Sequence, residues 1–496
     1  MASSSGTHAP SLPLVAKNKY ERKSYYKDLM SSTENNDIEQ AILNPQKTTL
    51  NVMYGDIKSK QAEQLVTLIK QRPQISTLFF NHTKFSPAGA KIISDGFKNI
   101  NTIIHFKIVP IAEDTSNGWM SLFKSPMLPQ LKTFSLGFRQ TTNCHAALRN
   151  KVCPYGGISY KTLFKFLLNV PSITSLYFSN AFNGNHGHAI KYLCSYIVGS
   201  GQLKILSIRN CGIYAQHFAN ICRSLSSNST ISHLDISSNY VAIDDSNNRT
   251  YNIIGMESLD QLLKKNSSIE YLNLSKNAMG VTPAPDFDDT FYAFSKNINN
   301  YTSLQSLDIS NMGLYGDGFF VHFIRNLSTL PIIKNLNLAY NSLRYDRDNV
   351  NDDSTFNEIS NLLSANKTIK HLDLTAIEED HYIDVIIADI KNWKVVETLK
   401  FGLVGFDSII NVARALNDYH GLKSVTFVSN RFLPDEFKVY NQPLDEELAS
   451  IYRQNGSITD IKIGDTPYPI FEQALLENIN KHTASIPLLV LLLNSI

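Results

Sequence analysis

Apolar and polar residues follow one another along this chain in a short recurring pattern, L-x-x-L-x-L-x-x-N, in which x is mostly polar. The clearest copies begin at Leu203, Ile231, Ile269, Leu304, Ile333 and Ile369. Weaker copies begin at Ile75, Ile103, Leu131, Ile173, Val396, Leu422 and Ile458, and a degenerate first copy contains Leu50 and Val52. A pattern that returns this often predicts a fold built from repeats.

The second apolar position of each copy marks the spacing of the repeats. It falls at Leu50, Leu78, Phe106, Phe134, Leu176, Leu206, Leu234, Leu272, Leu307, Leu336, Leu372, Leu399, Val425 and Ile461. The steps between these marker residues run from 26 to 42 residues, and many are close to 28. The spacing predicts about fourteen stacked units.

The L-x-L part of the pattern has a period of two residues, which is typical of a strand with one buried face. The Asn that follows falls where the chain must turn, and a buried amide there can satisfy unpaired backbone groups. This turn position is held by Asn239, Asn277, Asn341 and Asn430, with Cys211 as a substitute.

Between the strands, residues 61–71, 257–265 and 356–365 place apolar side chains on one face of a helix. Each unit therefore consists of strand, turn, helix and loop, and it cannot bury its apolar face alone. We predict an α/β solenoid with parallel strands on an inner face and helices outside.

The pattern resembles the leucine-rich repeat of the ribonuclease-inhibitor-like class over residues 47–466. The resemblance implies a horseshoe with strands on its concave face and helices on its convex face. We expect a disordered tail at residues 1–18 and an N-terminal cap at 19–46. Residues 467–496 are expected to form a capping helix and an apolar tail, and the alternatives for the tail are a translocation signal or a membrane contact.

Charge and composition narrow the function. The 46 basic and 44 acidic residues give a net charge of +2, which argues against a nucleic-acid binder driven by bulk charge. No run reaches 18 apolar residues, and the N-terminus lacks the apolar core of a signal peptide. Five clustered cysteines make no disulfide framework, and nine N-x-[ST] sequons are close to the chance number for this composition. We therefore expect a cytoplasmic protein.

The side chain between the two inner apolar positions, together with its neighbours, should line the concave face. The predicted partner-binding residues there are Tyr177, Arg209, His233, Asp235, Tyr271, Asn273, Asp308, Asn337, His371 and Asp373. Acidic residues lie at the centre of this track, with Lys107, Lys400 and Lys462 toward its ends. The pattern favours a protein partner with a basic patch, and the alternative is a strand face that is merely solvated.

Where a repeat is longer than usual, its extra residues fall between strand and helix, so these loops should share one rim. They are residues 139–157, 241–255, 281–288, 344–353 and 433–445. Acidic and aromatic side chains there give a second predicted binding set: Asp244, Asp245, Tyr251, Asp286, Phe287, Tyr345, Asp346 and Asp348.

Motifs for catalysis are missing from the sequence, since it has no phosphate-binding loop, zinc-protease helix or nucleophile elbow. Cys144, His145 and Cys153 share one insertion, but nothing beside them resembles an oxyanion site. His186 and His188 lack an evident third metal ligand and fit a helix start better. We expect no enzyme activity, no cofactor and no metal.

The leading hypothesis is a monomeric protein-interaction scaffold without transmembrane insertion. In its bare repeat array and missing export signal, the chain resembles leucine-rich-repeat effectors that intracellular bacteria inject into host cells, which implies action in the host cytosol. The alternatives are a regulator similar to the GTPase-activating protein for Ran, and a ubiquitin-ligase adaptor. The adaptor is less favoured, because residues 1–46 are too few for an F-box.

Overall fold

A computed structural model describes residues 27–31, 36–110, 117–138, 159–182, 186–245, 251–277, 292, 294–314, 318–328, 330, 332–341, 354–375, 381–402, 406–416, 419–428, 449–451, 453–463 and 466–467. The described residues form two compact units, one ending at Leu203 and one beginning at Lys204. The tail predicted at residues 1–18, most of the predicted C-terminal cap, Asn430 and the Cys144–His145–Cys153 group lie outside the described residues.

The first unit alternates helices and strands. Its helices are α1 (Lys27–Ser31), α2 (Asn36–Leu43), α3 (Ser59–Gln71), α4 (Pro87–Phe97), α5 (Gly118–Leu122), α6 (Tyr160–Leu168) and α7 (His186–Gly199). Its strands are β1 (Thr49–Met53), β2 (Asp56–Ile57), β3 (Thr77–Phe85), β4 (His105–Pro110), β5 (Thr133–Gly137) and β6 (Ser175–Ser179). β1, β3, β4, β5 and β6 pair in parallel in that order, and β2 adds a short pairing to β3.

The second unit has the same order of elements. Its helices are α8 (Ala215–Leu225), α9 (Ile254–Lys265), α10 (Gly318–Ser328), α11 (Ser354–Ala365), α12 (His381–Ile387) and α13 (Phe406–Leu416), with 3-10 turns at Ile298–Asn300 and Ile390–Asn392. Its strands are β7 (Ile205–Arg209), β8 (His233–Asp235), β9 (Tyr271–Asn273), β10 (Ser306–Asp308), β11 (Asn335–Asn337), β12 (His371–Leu374), β13 (Thr398–Gly402), β14 (Ser424–Val428), β15 (Asp460–Ile463) and β16 (Thr466–Pro467). β7 to β15 are parallel, and β16 returns antiparallel to β15.

The register within each unit follows the marker residues. In the first unit Leu50, Leu78, Phe106, Phe134 and Leu176 are successive partners. In the second unit the chain of partners is Leu206, Leu234, Leu272, Leu307, Leu336, Leu372, Leu399, Val425 and Ile461. The predicted α/β fold with parallel strands is confirmed, and α3, α9 and α11 lie where the sequence predicts helices.

A left-handed backbone conformation recurs four residues after the marker. It is adopted by Tyr54, His82, Asn180, Asn210, Ser238, Lys276, Asn311 and Tyr340, whose φ angles lie between 48° and 59°. Such a conformation is unfavourable for residues other than Gly. In six of these residues it is offset by a hydrogen bond from their N–H to a carbonyl of the next repeat, as from Ser238 to the Ser275 carbonyl at 2.8 Å. The turn is therefore the same in both units.

The predicted turn amides are buried and fully used in the second unit. The Asn239 side chain donates to the carbonyls of Ile208 and Ile236 at 2.7 and 2.9 Å, and its oxygen accepts the N–H of Cys211 and Ile213. Asn277 and Asn341 donate to carbonyls of their own and the preceding turn in the same way. The predicted structural role of these asparagines is confirmed.

A second set of buried amides follows the helices of the second unit. Each of these asparagines accepts two backbone N–H groups, or one N–H and a hydroxyl, from the residues two and three further on; they are Asn228, Asn266, Asn366 and Asn455. All four begin N-x-[ST] sequons, and their exposure is 3–7%. These sequons are thus capping motifs of the fold, which the sequence did not predict.

In the described parts of the chain, no helix is both long enough and apolar enough to cross a bilayer.

Candidate partner-binding face

The strands of the second unit bury their marker residues on one side and leave the other side accessible. We call this accessible side the open face. In β8 to β12 its middle positions are neighbours in register, and we call them the central row: Asp235, Asn273, Asp308, Asn337 and Asp373. Each of these residues is half-buried. The strand alternation read from the sequence therefore brings five of the predicted residues side by side.

The side chains of the central row form hydrogen bonds to the backbone. The Oδ1 atom of each residue accepts the N–H of the residue two positions further on, at 2.9–3.1 Å; the donors are Ser237, Ser275, Ser310, Ala339 and Thr375. The short side chains of Asp and Asn are well suited to this turn, and Ser and Thr hydroxyls form it more weakly. The turn therefore explains why Asp or Asn occupies this row. It leaves the second polar side-chain atom of each residue to other contacts.

Two of the three carboxylates in the row are compensated by bases of the same unit. Asp235 Oδ2 lies 3.6 Å from Arg209 Nε and accepts the Ser207 hydroxyl at 3.1 Å. Asp373 Oδ2 lies 3.2 Å from Lys400 Nζ. The track is therefore less acidic than the sequence suggests, because the predicted site residue Arg209 and the flanking Lys400 neutralise its two ends.

Asp308, at the middle of the row, differs from the other two acids. Its Oδ1 accepts the Ser310 N–H at 2.9 Å and the Ser310 hydroxyl at 2.7 Å. For its Oδ2 the described part of the chain supplies no ion-pair partner, and its lateral neighbours are the uncharged Asn273 and Asn337. One negative charge is therefore left uncompensated at the centre of the open face.

Tyr271 lies on the same face as Asp308, on the adjacent strand β9 and opposite Ser306. The ring of Tyr271 stacks on that of His233, with centroids 5.6 Å apart and planes 21° apart. Burial raises the pKa of the Tyr271 phenol, and the charges of Asp308 and Asp235 raise it further. The phenol oxygen therefore lies in the negative potential of both carboxylates. His371 is exposed on the same face, at the start of β12.

Tyr177, predicted for the same site, lies on β6 and belongs to the first unit. The corresponding positions there are Asn51, Phe79, Lys107, Ser135 and Tyr177. Lys107 Nζ lies 4.6 Å above the centre of the Phe79 ring. This strand face is aromatic and basic, whereas that of the second unit is rich in carboxylates and amides.

The insertion rim is described in part. Ile243 and Tyr251 form an antiparallel bridge, and Asp244 and Asp245 directly follow Ile243. Burial lowers the pKa of His217, and the negative charge of Asp245 opposes that shift. The remaining predicted rim residues lie outside the described residues: Asp286, Phe287, Tyr345, Asp346 and Asp348.

Some neighbours of the site were missed from the sequence. The rings of Tyr214 and Tyr240 stack with centroids 5.2 Å apart, and the Ser207 hydroxyl donates to Asp235. Lys400 was assigned to a flank and not to the site. Equal repeat positions are lateral neighbours in a parallel sheet, so the matching positions of Asp373 and Lys400 could have revealed their ion pair. No comparable signal links Tyr214 with Tyr240.

No protein-family model matches this chain, and no curated protein sequence matches it. Among solved structures, one similar chain is described as Leiomodin-1 Actin-Binding Site 2 (ABS2). It is 19% identical, the match covers 41% of this chain and 95% of that chain, and the TM-score is 0.24.

Proposed function

We propose that the chain is a leucine-rich-repeat scaffold of the ribonuclease-inhibitor-like class, with about fourteen repeats, that binds a partner protein through its open face. In this proposal the open face is the concave side of a horseshoe, the insertion rim adds contacts, and the chain has no catalytic activity. The observation that carries it is the central row. Five adjacent strands hold polar side chains in fixed positions, and each is anchored to the backbone through its Oδ1 atom.

Anchoring favours binding because it lowers the entropy lost when the face is covered. The Asp308 oxygen bonded to Ser310 cannot move without breaking two hydrogen bonds of 2.9 and 2.7 Å. The Tyr271–His233 stack restrains two rings that can supply apolar contact area. A face with fixed polar atoms and rings beside them is typical of protein-binding surfaces.

Site-specific photocrosslinking in cell lysate tests the proposal. A benzophenone amino acid replaces His371, which is exposed on the open face, and in a matched control it replaces Gln261, which is exposed on α9. We expect a discrete crosslinked protein from position 371 and none in common from position 261. The same proteins from both positions, or none from 371, would contradict binding through the open face.

The charge of the face is tested separately from its stability. Replacing Asp235, Asp308 and Asp373 together by Lys would remove three caps as well as three charges, because each carboxylate accepts a backbone N–H. Replacing them by Asn keeps the acceptor and removes only the charge. We expect the triple Asn variant to lose the crosslinked partner while its melting temperature stays near that of the parent chain.

Delivery of this scaffold into a host cell stays a prediction from the resemblance to injected effectors. A translocation reporter fused to the whole chain, with and without residues 472–496, tests it, and equal delivery would remove the role of the tail. The Ran-regulator alternative predicts stimulation of GTP hydrolysis by the small GTPase, and absence of stimulation would exclude it.

A further inference from the structure

The two basic residues that pair with carboxylates of the central row lie at two defined repeat positions. Asp235 is met by Arg209, which comes from the end of the preceding strand. Asp373 is met by Lys400, which is its register partner on the following strand. For Asp308 the corresponding positions hold Ser275, after the preceding strand, and Asn337, on the following strand. Asp308 therefore lacks a cation at the two repeat positions that supply one to Asp235 and Asp373.

Such a gap is costly to cover with an uncharged partner. A carboxylate that loses its hydration without gaining a counter-charge is strongly destabilised. Asp308 is already half-buried, and its Oδ1 is engaged by Ser310. A partner that closes over β9 to β11 must therefore supply a donor to Oδ2, and a positive charge satisfies it best.

The aromatic ring of Tyr271 determines which kind of cation fits best beside Asp308. Tyr271 presents a half-buried aromatic ring, and the His233 ring stacks on it with centroids 5.6 Å apart. A planar guanidinium can stack on a ring while it donates to a carboxylate, whereas an ammonium acts as a compact point charge. Ring and carboxylate together therefore favour arginine over lysine.

We propose that Asp308, together with the Tyr271 ring on the adjacent strand, binds an arginine side chain of the partner protein. The inference rests on the proposed function and makes it specific. The arginine supplies to Asp308 what Arg209 and Lys400 supply to Asp235 and Asp373. The partner's basic character is then needed at one position, and a general basic patch is not required.

Selection of peptides from a phage library of random short sequences on the full-length protein tests this. We expect peptides with an arginine at a common position. Their affinity should fall about tenfold or more on the Asp308→Asn variant, because a charge-assisted hydrogen bond is lost while the cap on Ser310 is kept. Replacing the peptide arginine by citrulline should cause a similar loss, and replacing it by lysine a smaller one.

Asp373→Asn is the matched control, since that carboxylate has the same cap but already pairs with Lys400. We expect it to weaken the same peptides less than about threefold, as for a solvent-accessible ion pair. Equal losses from both variants would overturn the assignment to Asp308. Melting temperatures of both variants, measured alongside, exclude unfolding as the cause.

Failure of the inference is distinguishable from failure of the proposed function. Peptides that lack arginine and bind equally well to Asp308→Asn, but lose binding on Tyr271→Ala, would overturn the arginine site and leave the open face as a binding surface. Peptides insensitive to both substitutions, or no selected peptides, would overturn both.

Discussion

The two units close the same kind of turn with different side chains. In the second unit the Asn239 amide donates to the Ile208 carbonyl of the preceding strand and also accepts two backbone N–H groups. In the first unit Thr83 holds the same repeat position, and its hydroxyl donates to the Val52 carbonyl at 3.0 Å. An amide is both donor and acceptor within one rigid plane, whereas a hydroxyl has one proton to donate. The Asn turn is therefore held by more bonds than the Thr turn.

The cores differ as well. On the strands of the first unit, Phe80, Phe106, Phe134 and Phe178 are buried, and Trp119 packs edge-on against Phe85 with centroids 4.7 Å apart. The inward positions of β7 to β12 in the second unit are all Leu or Ile. One repeat geometry therefore accepts either aromatic packing with few turn amides or aliphatic packing with an amide ladder.

The largest effect is expected for the aromatic core of the first unit. Trp119 is fully buried and contacts Phe80, Phe85 and Phe123. Trp119→Ala leaves a cavity and should lower the free energy of unfolding by about 4 kcal/mol. Hydrogen exchange followed by mass spectrometry should show faster exchange in β3 and β4. Unchanged exchange there would mean that these rings do not hold the unit together.

Turn chemistry should give the next largest difference. Asn239→Ala leaves the Cys211 and Ile213 N–H groups without their acceptor and should cost about 3 kcal/mol, whereas Thr83→Val removes one donor and should cost about 1 kcal/mol. The chain has two tryptophans, Trp119 and Trp393, one in each unit. Urea unfolding in single-tryptophan backgrounds therefore reports each unit by its own fluorescence.

We expect Asn239→Ala to cost more stability than Thr83→Val. Equal costs for Asn239→Ala and Thr83→Val would show that the accepted N–H groups contribute nothing to stability, and that the comparison between the two turns fails.

Buried and exposed sequons offer a smaller, matched contrast. Asn266 accepts two N–H groups and donates to the Leu225 and Asn228 carbonyls, whereas Asn300 is exposed. Asn266→Ala should lower the free energy of unfolding by about 2 kcal/mol, and Asn300→Ala should change it by less than about 0.5 kcal/mol. Thermal melts of the two variants measure this, and similar losses would contradict a capping role for the buried sequons.

The smallest effect concerns charge on the second unit. Hydrogen bonds from Lys370 and Lys423 lower the pKa of Glu397 from 4.5 to about 2. A lowered pKa stabilises the fold above the unfolded value near 4.5, and this contribution is lost as the pH falls toward about 2. The parent chain should therefore lose about 0.5 kcal/mol more over that pH range than the Glu397→Gln variant. Acid-unfolding curves with the same pH dependence for both proteins would contradict a stabilising role of the Glu397 ion pairs with Lys370 and Lys423.

Much of the fold was predictable because its pattern is local. The marker residues at a period of two fixed which side of each strand is buried, and residues such as Leu234 and Leu272 became register partners as their repeat position implies. The turn amide of Asn239 was predictable for the same reason. The second amide set, exemplified by Asn266, was not, because a sequon that occurs near its chance frequency gives no sign that its side chain is buried.

The candidate site was also predictable in part. Strand alternation alone placed Asp235, Asp308 and Asp373 on one accessible face. It did not show that each gives one oxygen to the backbone, because the Asx turn depends on how the chain leaves the strand.

The sequence by itself determined the repeat, the strand positions, the buried face and the residues that line the other one, since all of these follow from periodicity. Only the tertiary structure decided which charges meet. Arg209 and Lys400 come from neighbouring strands to Asp235 and Asp373, and no base comes to Asp308 within the described residues. Coulomb energy depends on distance in space, and stacking brings together residues that are far apart in the chain.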